Sequence, residues 1–147
     1  MNAYIVHHSQ GRTPTSIEDA KRAIAEIHAY HRDSNGWPGF AYNDAIWQDV
    51  LFRVRPSDRM GWHSAGPDYN YNGIGDWNET GHAVCLLGTF TSQKPPEPYL
   101  DTILAGWSLV EQEVGGQALQ LRGHRSGWQT TCPGDWWPAW SASQGGV

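Results

Sequence analysis

Apolar residues follow two different periods in the first half of the chain. Residues 3 to 8 consist of a short apolar run, rich in β-branched and aromatic residues, that ends in two histidines, and this segment predicts a buried strand. Thr15 and Glu18 then form a capping-box pair, and Asn35-Gly36 supply a stop signal. Between these signals the pattern predicts a helix, because one set of residues recurs at helical spacing. That set is Ile17, Ala20, Ile24, Ile27 and His31.

The second half repeats the alternation of strands and helices. Two short strands are expected around Asp49, a third over residues 82 to 90, and a fourth in ALQLRGH, which ends at His124. PPEP introduces a second helix that Gly115-Gly116 closes. Its apolar face consists of Leu100, Ile103, Leu104, Trp107, Val110 and Val114. This order favours an α/β fold in which helices flank a central mixed β-sheet.

Composition narrows the class of protein. The 147 residues fit one domain, here taken as residues 1–147, and 39% hydrophobic with 17% charged residues is not the composition of a disordered chain. The net charge of −5 argues against nucleic acid as a partner. No apolar stretch approaches the roughly 20 residues that span a bilayer, and the start lacks the pattern of a signal peptide. A monomer is the default for such a chain.

Two local features suggest binding surfaces. The segment from 56 to 81 is polar, rich in Gly and Asn, and longer than a passive connector, which is typical of functional loops. Nine Trp residues are too scattered for one core to hide them all, so some are expected to line a concave surface that suits the apolar faces of sugars. Core filling plus an aromatic C-terminal tail explains them equally well.

Candidate metal ligands lie at the two ends of the chain. His7 and His8 are neighbours on one strand, so their side chains point to opposite faces and at most one can bind a given ion. His124 ends the last predicted strand, and Cys132 follows in the loop TTCPG. Two His and one Cys form the open set that catalytic zinc uses, although three such residues also occur together by chance. Cys85 lies in an apolar strand and is expected to be a buried, inert thiol.

Several segments resemble, in order, the type 2 N-acetylmuramoyl-L-alanine amidase family. That family includes phage endolysins, bacterial wall-recycling amidases and animal peptidoglycan-recognition proteins. The segments are YIVHHS, HRDSNGWPGFAYN, GWHSAG, HAVCLLGTF and GHRSGWQTTCPG, and they cover about residues 4 to 134. GHRSGWQTTCPG is the most specific of them. It departs from the family at Ser126, where Asp is usual, and at Thr130, where some branches carry Lys; Cys85 stands where others carry Glu.

The resemblance implies an amidase/peptidoglycan-recognition-like fold, Zn2+ as cofactor and bacterial peptidoglycan as substrate. The cleaved bond is the amide between N-acetylmuramic acid and L-alanine of the stem peptide. The implied site of action is the cell wall, reached from a host cytoplasm by a phage enzyme or otherwise by secretion. The implied metal ligands are His7, His124 and Cys132.

Further residues receive roles around these ligands. Tyr42 and Thr130 are candidate catalytic residues: the Tyr42 phenol is expected to hydrogen-bond the attacking water or the developing oxyanion, and the Thr130 hydroxyl to donate to the oxyanion. The candidate substrate-binding residues are His63, Trp37, Trp62 and Trp77. Tyr42 as a packed aromatic, Thr130 as a loop hydroxyl and His63 as a surface residue remain open alternatives. Two other functions also remain: a peptidoglycan-binding protein without catalysis, and a Trp-rich carbohydrate-binding module with incidental His and Cys.

Overall fold

A five-stranded mixed sheet forms the centre of the computed structural model, which describes residues 1–64 and 76–146. The strand order is β3-β2-β4-β1-β5. All pairings are parallel except that of β2 with β3, which is antiparallel and makes β3 one edge strand of the sheet. The strands are β1 Ala3–His8, β2 Asp44–Trp47, β3 Val50–Arg53, β4 Gly81–Leu86 and β5 Gln120–Gly123. The predicted mixed sheet is therefore confirmed.

Helices cover both faces of this sheet. In the described part of the chain they are α1 Ile17–Asp33, α2 Trp77–Thr80, α3 Glu97–Glu113 and α4 Trp137–Ser143. Strand alternation sends Tyr4 and Val6 into a core shared with α3 and α4. On the other face of the sheet, Ala45 of β2 and Cys85 of β4 pack with Ala20 of α1. No described helix has both the length and the apolar character needed to cross a bilayer.

The parallel strands place their carboxyl ends at one edge of the sheet. β1 is central and completely buried, and it pairs with β4 on one side and β5 on the other. In this register His7 lies opposite Cys85, and Val6 lies opposite Gly123, the residue before His124. The sheet topology therefore brings residues from the start and the end of the chain to the same edge.

Three boundaries differ from the sequence-based predictions. The strand expected over residues 82 to 90 ends at Leu86, because Gly88 takes a positive φ of 142° that breaks the ladder. His124 begins a 3-10 turn after β5 and is not part of the strand. The aromatic C-terminal tail forms α4, with Trp137 buried in the core.

The cap of α1 also lies one residue beyond the predicted pair. The N-cap is Ser16, whose hydroxyl accepts a hydrogen bond from the Asp19 backbone N–H at 3.1 Å. The Asp19 carboxylate reaches back to accept from the Thr15 N–H at 3.0 Å. Thr15 with Glu18 is therefore wrong as the capping pair, because Ser16 caps the helix and the returning bond runs from the Thr15 N–H to Asp19.

We expect Ser16→Ala to lower the free energy of unfolding by about 1 kcal/mol, as the loss of an N-cap acceptor does. The matched control is Thr15→Ala, which removes the hydroxyl of the residue that the sequence placed at the cap. Urea denaturation of both variants checks this prediction. A larger loss from Thr15→Ala than from Ser16→Ala would contradict it.

Candidate metal centre

His7, His124 and Cys132 lie together at the carboxyl edge of the parallel strands. The rings of His7 and His124 are 4.4 Å apart between centroids. The Cys132 sulfur lies 3.9 Å from His7 Nδ1. One ligand atom from each of the three residues can be chosen so that all lie within 4.8 Å of one another. The three residues that the resemblance implied as ligands are therefore adjacent in space.

The loop that carries Cys132 is fixed by hydrogen bonds around it. The Arg125 backbone N–H donates to the Cys132 carbonyl at 2.8 Å, and the Arg125 guanidinium donates to the Gly134 carbonyl at 3.0 Å. Gly134 has a positive φ of 142°, and a Cβ there would lie 1.9 Å from the Phe90 carbonyl oxygen, so only glycine fits. The Thr130 hydroxyl oxygen accepts from the Cys132 N–H at 3.2 Å. These contacts aim the sulfur at His7.

The donor set and its spacing fit a tetrahedral zinc ion. Zinc binds imidazole nitrogen at about 2.0–2.1 Å and thiolate sulfur at about 2.3 Å, so donors around one ion lie about 3.3–3.8 Å apart. The 3.9 Å between Cys132 Sγ and His7 Nδ1 is close to that spacing. Three protein donors leave the fourth coordination position for water or substrate, as in catalytic zinc sites.

Burial sets the protonation of these side chains. It lowers the pKa of His7 well below its usual range and that of His124 to about 4, so both imidazoles are neutral and available as ligands at neutral pH. Burial raises the pKa of the Cys132 thiol to about 12, although the His8 backbone N–H donates to the sulfur at 3.4 Å. A cation in contact with the sulfur is what would hold it as a thiolate.

A cavity of about 200 Å³ opens onto the three candidate ligands. Its lining consists of His7, His8, Ser9, Gln10, Tyr42, His63, His124, Thr130 and Cys132. Tyr42 has its ring centroid 5.0 Å from that of His7, and burial raises the pKa of its phenol well above the usual value. Among the described lining residues, Ser9, Tyr42 and Thr130 offer hydroxyl groups and none offers a carboxylate. Ser9 and Gln10 were not predicted to line the site, although their position directly after His7 and His8 could have indicated it.

His63 lies behind His7 and not on the surface. Its side chain is 7% exposed, and its Nδ1 is 3.0 Å from His7 Nε2. Its Nε2 is 2.9 Å from the Trp77 carbonyl oxygen, and the Ser64 hydroxyl is 3.2 Å from its Nδ1. Burial lowers the pKa of His63 to about 3, so the ring is neutral. The alternative of a surface histidine is therefore wrong.

Trp77 does not line a groove, contrary to the prediction. Its side chain is completely buried in a small core with Ala3 and Ile5. Trp37 and Trp62 are half-buried, and neither lines the cavity at the candidate ligands. Trp37 packs near His31, and Arg55 lies over the Trp62 ring. Their assignment to substrate stays a prediction, and residues 65–75 of the long polar loop lie outside the described residues.

The remaining histidines have structural partners. His8 Nδ1 accepts from the Phe90 N–H at 3.0 Å, and His31 Nδ1 accepts from the Ala41 N–H at 3.1 Å. His28 Nδ1 accepts from the Phe40 N–H, and His82 Nε2 is 2.7 Å from the Asp44 carboxylate. His7 and His8 thus serve opposite faces, as strand alternation required. Trp128, which the sequence did not single out, has its ring 6.3 Å from that of His124.

We expect His8→Ala to lower the free energy of unfolding by about 2–3 kcal/mol, because the buried Phe90 N–H loses its acceptor and a cavity is left. Bound metal should stay at the wild-type ratio, since the His8 ring accepts from the Phe90 N–H and only the His8 backbone N–H contacts the sulfur. Denaturation and elemental analysis of the purified variant measure both effects. A folded His8→Ala protein without metal would identify the wrong ring of the pair as ligand.

Comparisons with known proteins find relatives of this chain in sequence and in fold. No family model matches the chain. Peptidoglycan-recognition protein SC1a/b of Drosophila simulans is 30% identical over 149 residues, which cover 93% of this chain and 74% of that protein. The N-acetylmuramoyl-L-alanine amidase of Sus scrofa is 28% identical over 137 residues, 88% of this chain but only 21% of that protein. Bumblebee PGRP-SA superposes with a TM-score of 0.77 at 20% identity, covering 92% of this chain and 76% of that chain.

The protein is thus of the α/β class, with a mixed sheet that carries two histidines and a cysteine at the carboxyl edge of its parallel strands. The similarity to the Drosophila simulans protein extends over most of both chains. The chain belongs to the peptidoglycan-recognition protein family, and the resemblance to type 2 amidases that its motifs indicated is confirmed.

Proposed function

We propose that the protein is a zinc-dependent amidase of bacterial peptidoglycan. It cleaves the amide between the lactyl group of N-acetylmuramic acid and the L-alanine of the stem peptide. One observation carries the proposal: the ligand atoms of His7, His124 and Cys132 lie within 4.8 Å of one another and line an open cavity. A protein that only bound glycan would have no need to hold a buried thiol close to two neutral imidazoles.

His7, His124 and Cys132 would hold the zinc ion, which would supply a Lewis acid for the scissile carbonyl and would lower the pKa of bound water toward about 7. The chain supplies the remaining polar groups. The Tyr42 phenol is protonated at neutral pH, and burial raises its pKa further, so it donates a hydrogen bond to the negative charge that develops on the carbonyl oxygen. The Thr130 hydroxyl oxygen accepts a hydrogen bond from the Cys132 backbone N–H, so the position of Thr130 depends on that of the ligand Cys132.

The second candidate function is recognition of peptidoglycan without cleavage. The observation in its favour is that relatives covering most of this chain are named peptidoglycan-recognition proteins. Solved structures of similar fold include PGRP-LE in complex with tracheal cytotoxin, described as a monomeric diaminopimelic acid-type peptidoglycan, at 19% identity. Both functions use the same ligand and the same cavity, so only the chemistry separates them.

Purified protein incubated with insoluble peptidoglycan distinguishes the two functions. The amidase is expected to carry one zinc per chain and to release stem peptides with free L-alanine amino termini, which dinitrophenylation detects. Chelation should stop this release, and added zinc should restore it. Protein that sediments with peptidoglycan but releases no new amino termini from walls of either stem-peptide type would establish recognition instead.

A further inference from the structure

We propose that His63 is a positioning residue that fixes the tautomer and orientation of His7 for metal binding. The inference rests on the proposed zinc site. It gives a structural role to His63, which the sequence predicted to bind substrate. It follows from two consecutive hydrogen bonds, from His7 to His63 and from His63 to the Trp77 backbone carbonyl.

The Trp77 carbonyl, at the end of this series of hydrogen bonds, determines which atom donates in each of them. The Trp77 carbonyl oxygen can only accept, so His63 Nε2, at 2.9 Å, carries the hydrogen. In a neutral ring the other nitrogen is then an acceptor, so His63 Nδ1 accepts from His7 Nε2 at 3.0 Å. His7 therefore carries its hydrogen on Nε2 and has a lone pair on Nδ1, the nitrogen that lies 3.9 Å from the Cys132 sulfur.

The position of His63 is itself fixed at both ends. The Ser64 N–H donates to the Asn78 side-chain oxygen at 3.0 Å, and the Asn78 amide donates back to the Ser64 carbonyl at 2.6 Å. This pair of bonds clamps the residue next to His63 onto α2. The buried Trp77 side chain anchors the carbonyl that His63 contacts. Trp77, which was also predicted to bind substrate, thus contributes its backbone carbonyl, which is the final acceptor in this series of hydrogen bonds.

The contacts of His63 leave it little scope to bind substrate. Its two ring nitrogens are engaged by His7, Ser64 and Trp77, and only 7% of the residue is exposed. A histidine that ligates a metal through one nitrogen commonly donates the other N–H to a fixed acceptor, which sets its orientation. His63 is that acceptor for His7.

The test measures metal affinity and not turnover, using cobalt(II) as a spectroscopic probe and a chromophoric chelator as competitor. His63→Ala is expected to weaken cobalt and zinc binding about 10- to 100-fold, the usual effect of losing an outer-shell partner. It should also change the visible absorption of bound cobalt, because the His7 ring is no longer held. His63→Gln retains both an acceptor and a donor and should recover part of the affinity.

His28→Ala is the matched control, since the His28 ring is also hydrogen-bonded to the backbone, as acceptor from the Phe40 N–H, but does not line the cavity. Its metal affinity should match that of the wild type, and thermal unfolding verifies that each variant is folded. Wild-type metal affinity and a wild-type cobalt spectrum in folded His63→Ala would overturn the proposal. If His63→Ala does not fold, the same result in folded His63→Gln would overturn it. A wild type that binds metal tightly but cleaves no peptidoglycan would refute the amidase and leave the role of His63 intact, whereas a wild type that binds no metal would overturn both.

Discussion

Replacing Cys132 with alanine should remove bound zinc and abolish cleavage of peptidoglycan while the chain stays folded. The sulfur is one of three protein donors and the only one that brings a negative charge, so two neutral imidazoles would remain. Four-ligand structural sites bind zinc with about 10–16 kcal/mol, so one donor accounts for about 3–4 kcal/mol, or roughly 100- to 1,000-fold in affinity. Elemental analysis and the release of L-alanine amino termini measure the two losses.

The fold should survive because backbone contacts hold the loop. The Arg125 N–H and the Thr130 hydroxyl oxygen bond the backbone of residue 132, and both contacts are independent of the side chain. Cys85→Ala is the matched control: it also removes a buried thiol, but Cys85 is not one of the three clustered ligands. That variant should keep one zinc per chain. Zinc and turnover that both persist in Cys132→Ala would mean that the cluster is not the metal site.

Local patterns were sufficient to predict most of the fold. The helical spacing from Ile17 to His31 corresponds to α1, and the strands on either side of Asp49 correspond to β2 and β3. Errors arose where neighbouring residues offer equivalent chemistry, as at Thr15 and Ser16, or where an aromatic tail carries no clear period, as at α4. Such choices depend on contacts that local propensity does not contain.

The candidate ligands were predictable because parallel strands end at one edge. A histidine at the end of β1 and another after β5 must lie close once those strands pair, and strand alternation limits β1 to one ligand. The surroundings were not predictable in this way. Trp77 was assigned to a groove because composition cannot tell a buried tryptophan from an exposed one, and the contact of His63 with His7 joins positions 56 residues apart.

The function of Tyr42 depends on one oxygen atom, so Tyr42→Phe should lower kcat while leaving zinc content unchanged. The phenol lines the cavity beside His7, and burial keeps it protonated, which makes it a hydrogen-bond donor throughout the neutral pH range. Loss of a donor to a developing oxyanion costs about 100- to 1,000-fold in kcat. KM should change little, because the donor acts on charge that is absent in the bound substrate.

Tyr30→Phe is the matched control, since it removes the same oxygen from a tyrosine on α1 that is 60% exposed. Both variants keep an aromatic ring, so a difference between them reports the hydroxyl at the cavity and not packing. If Tyr42→Phe lost zinc as well as activity, the phenol would be acting on the metal ligands and not on the substrate. If kcat stayed within twofold of the wild type, Tyr42 would be the packed aromatic of the simpler interpretation, and the charge that develops on the carbonyl oxygen would have to be stabilised without it.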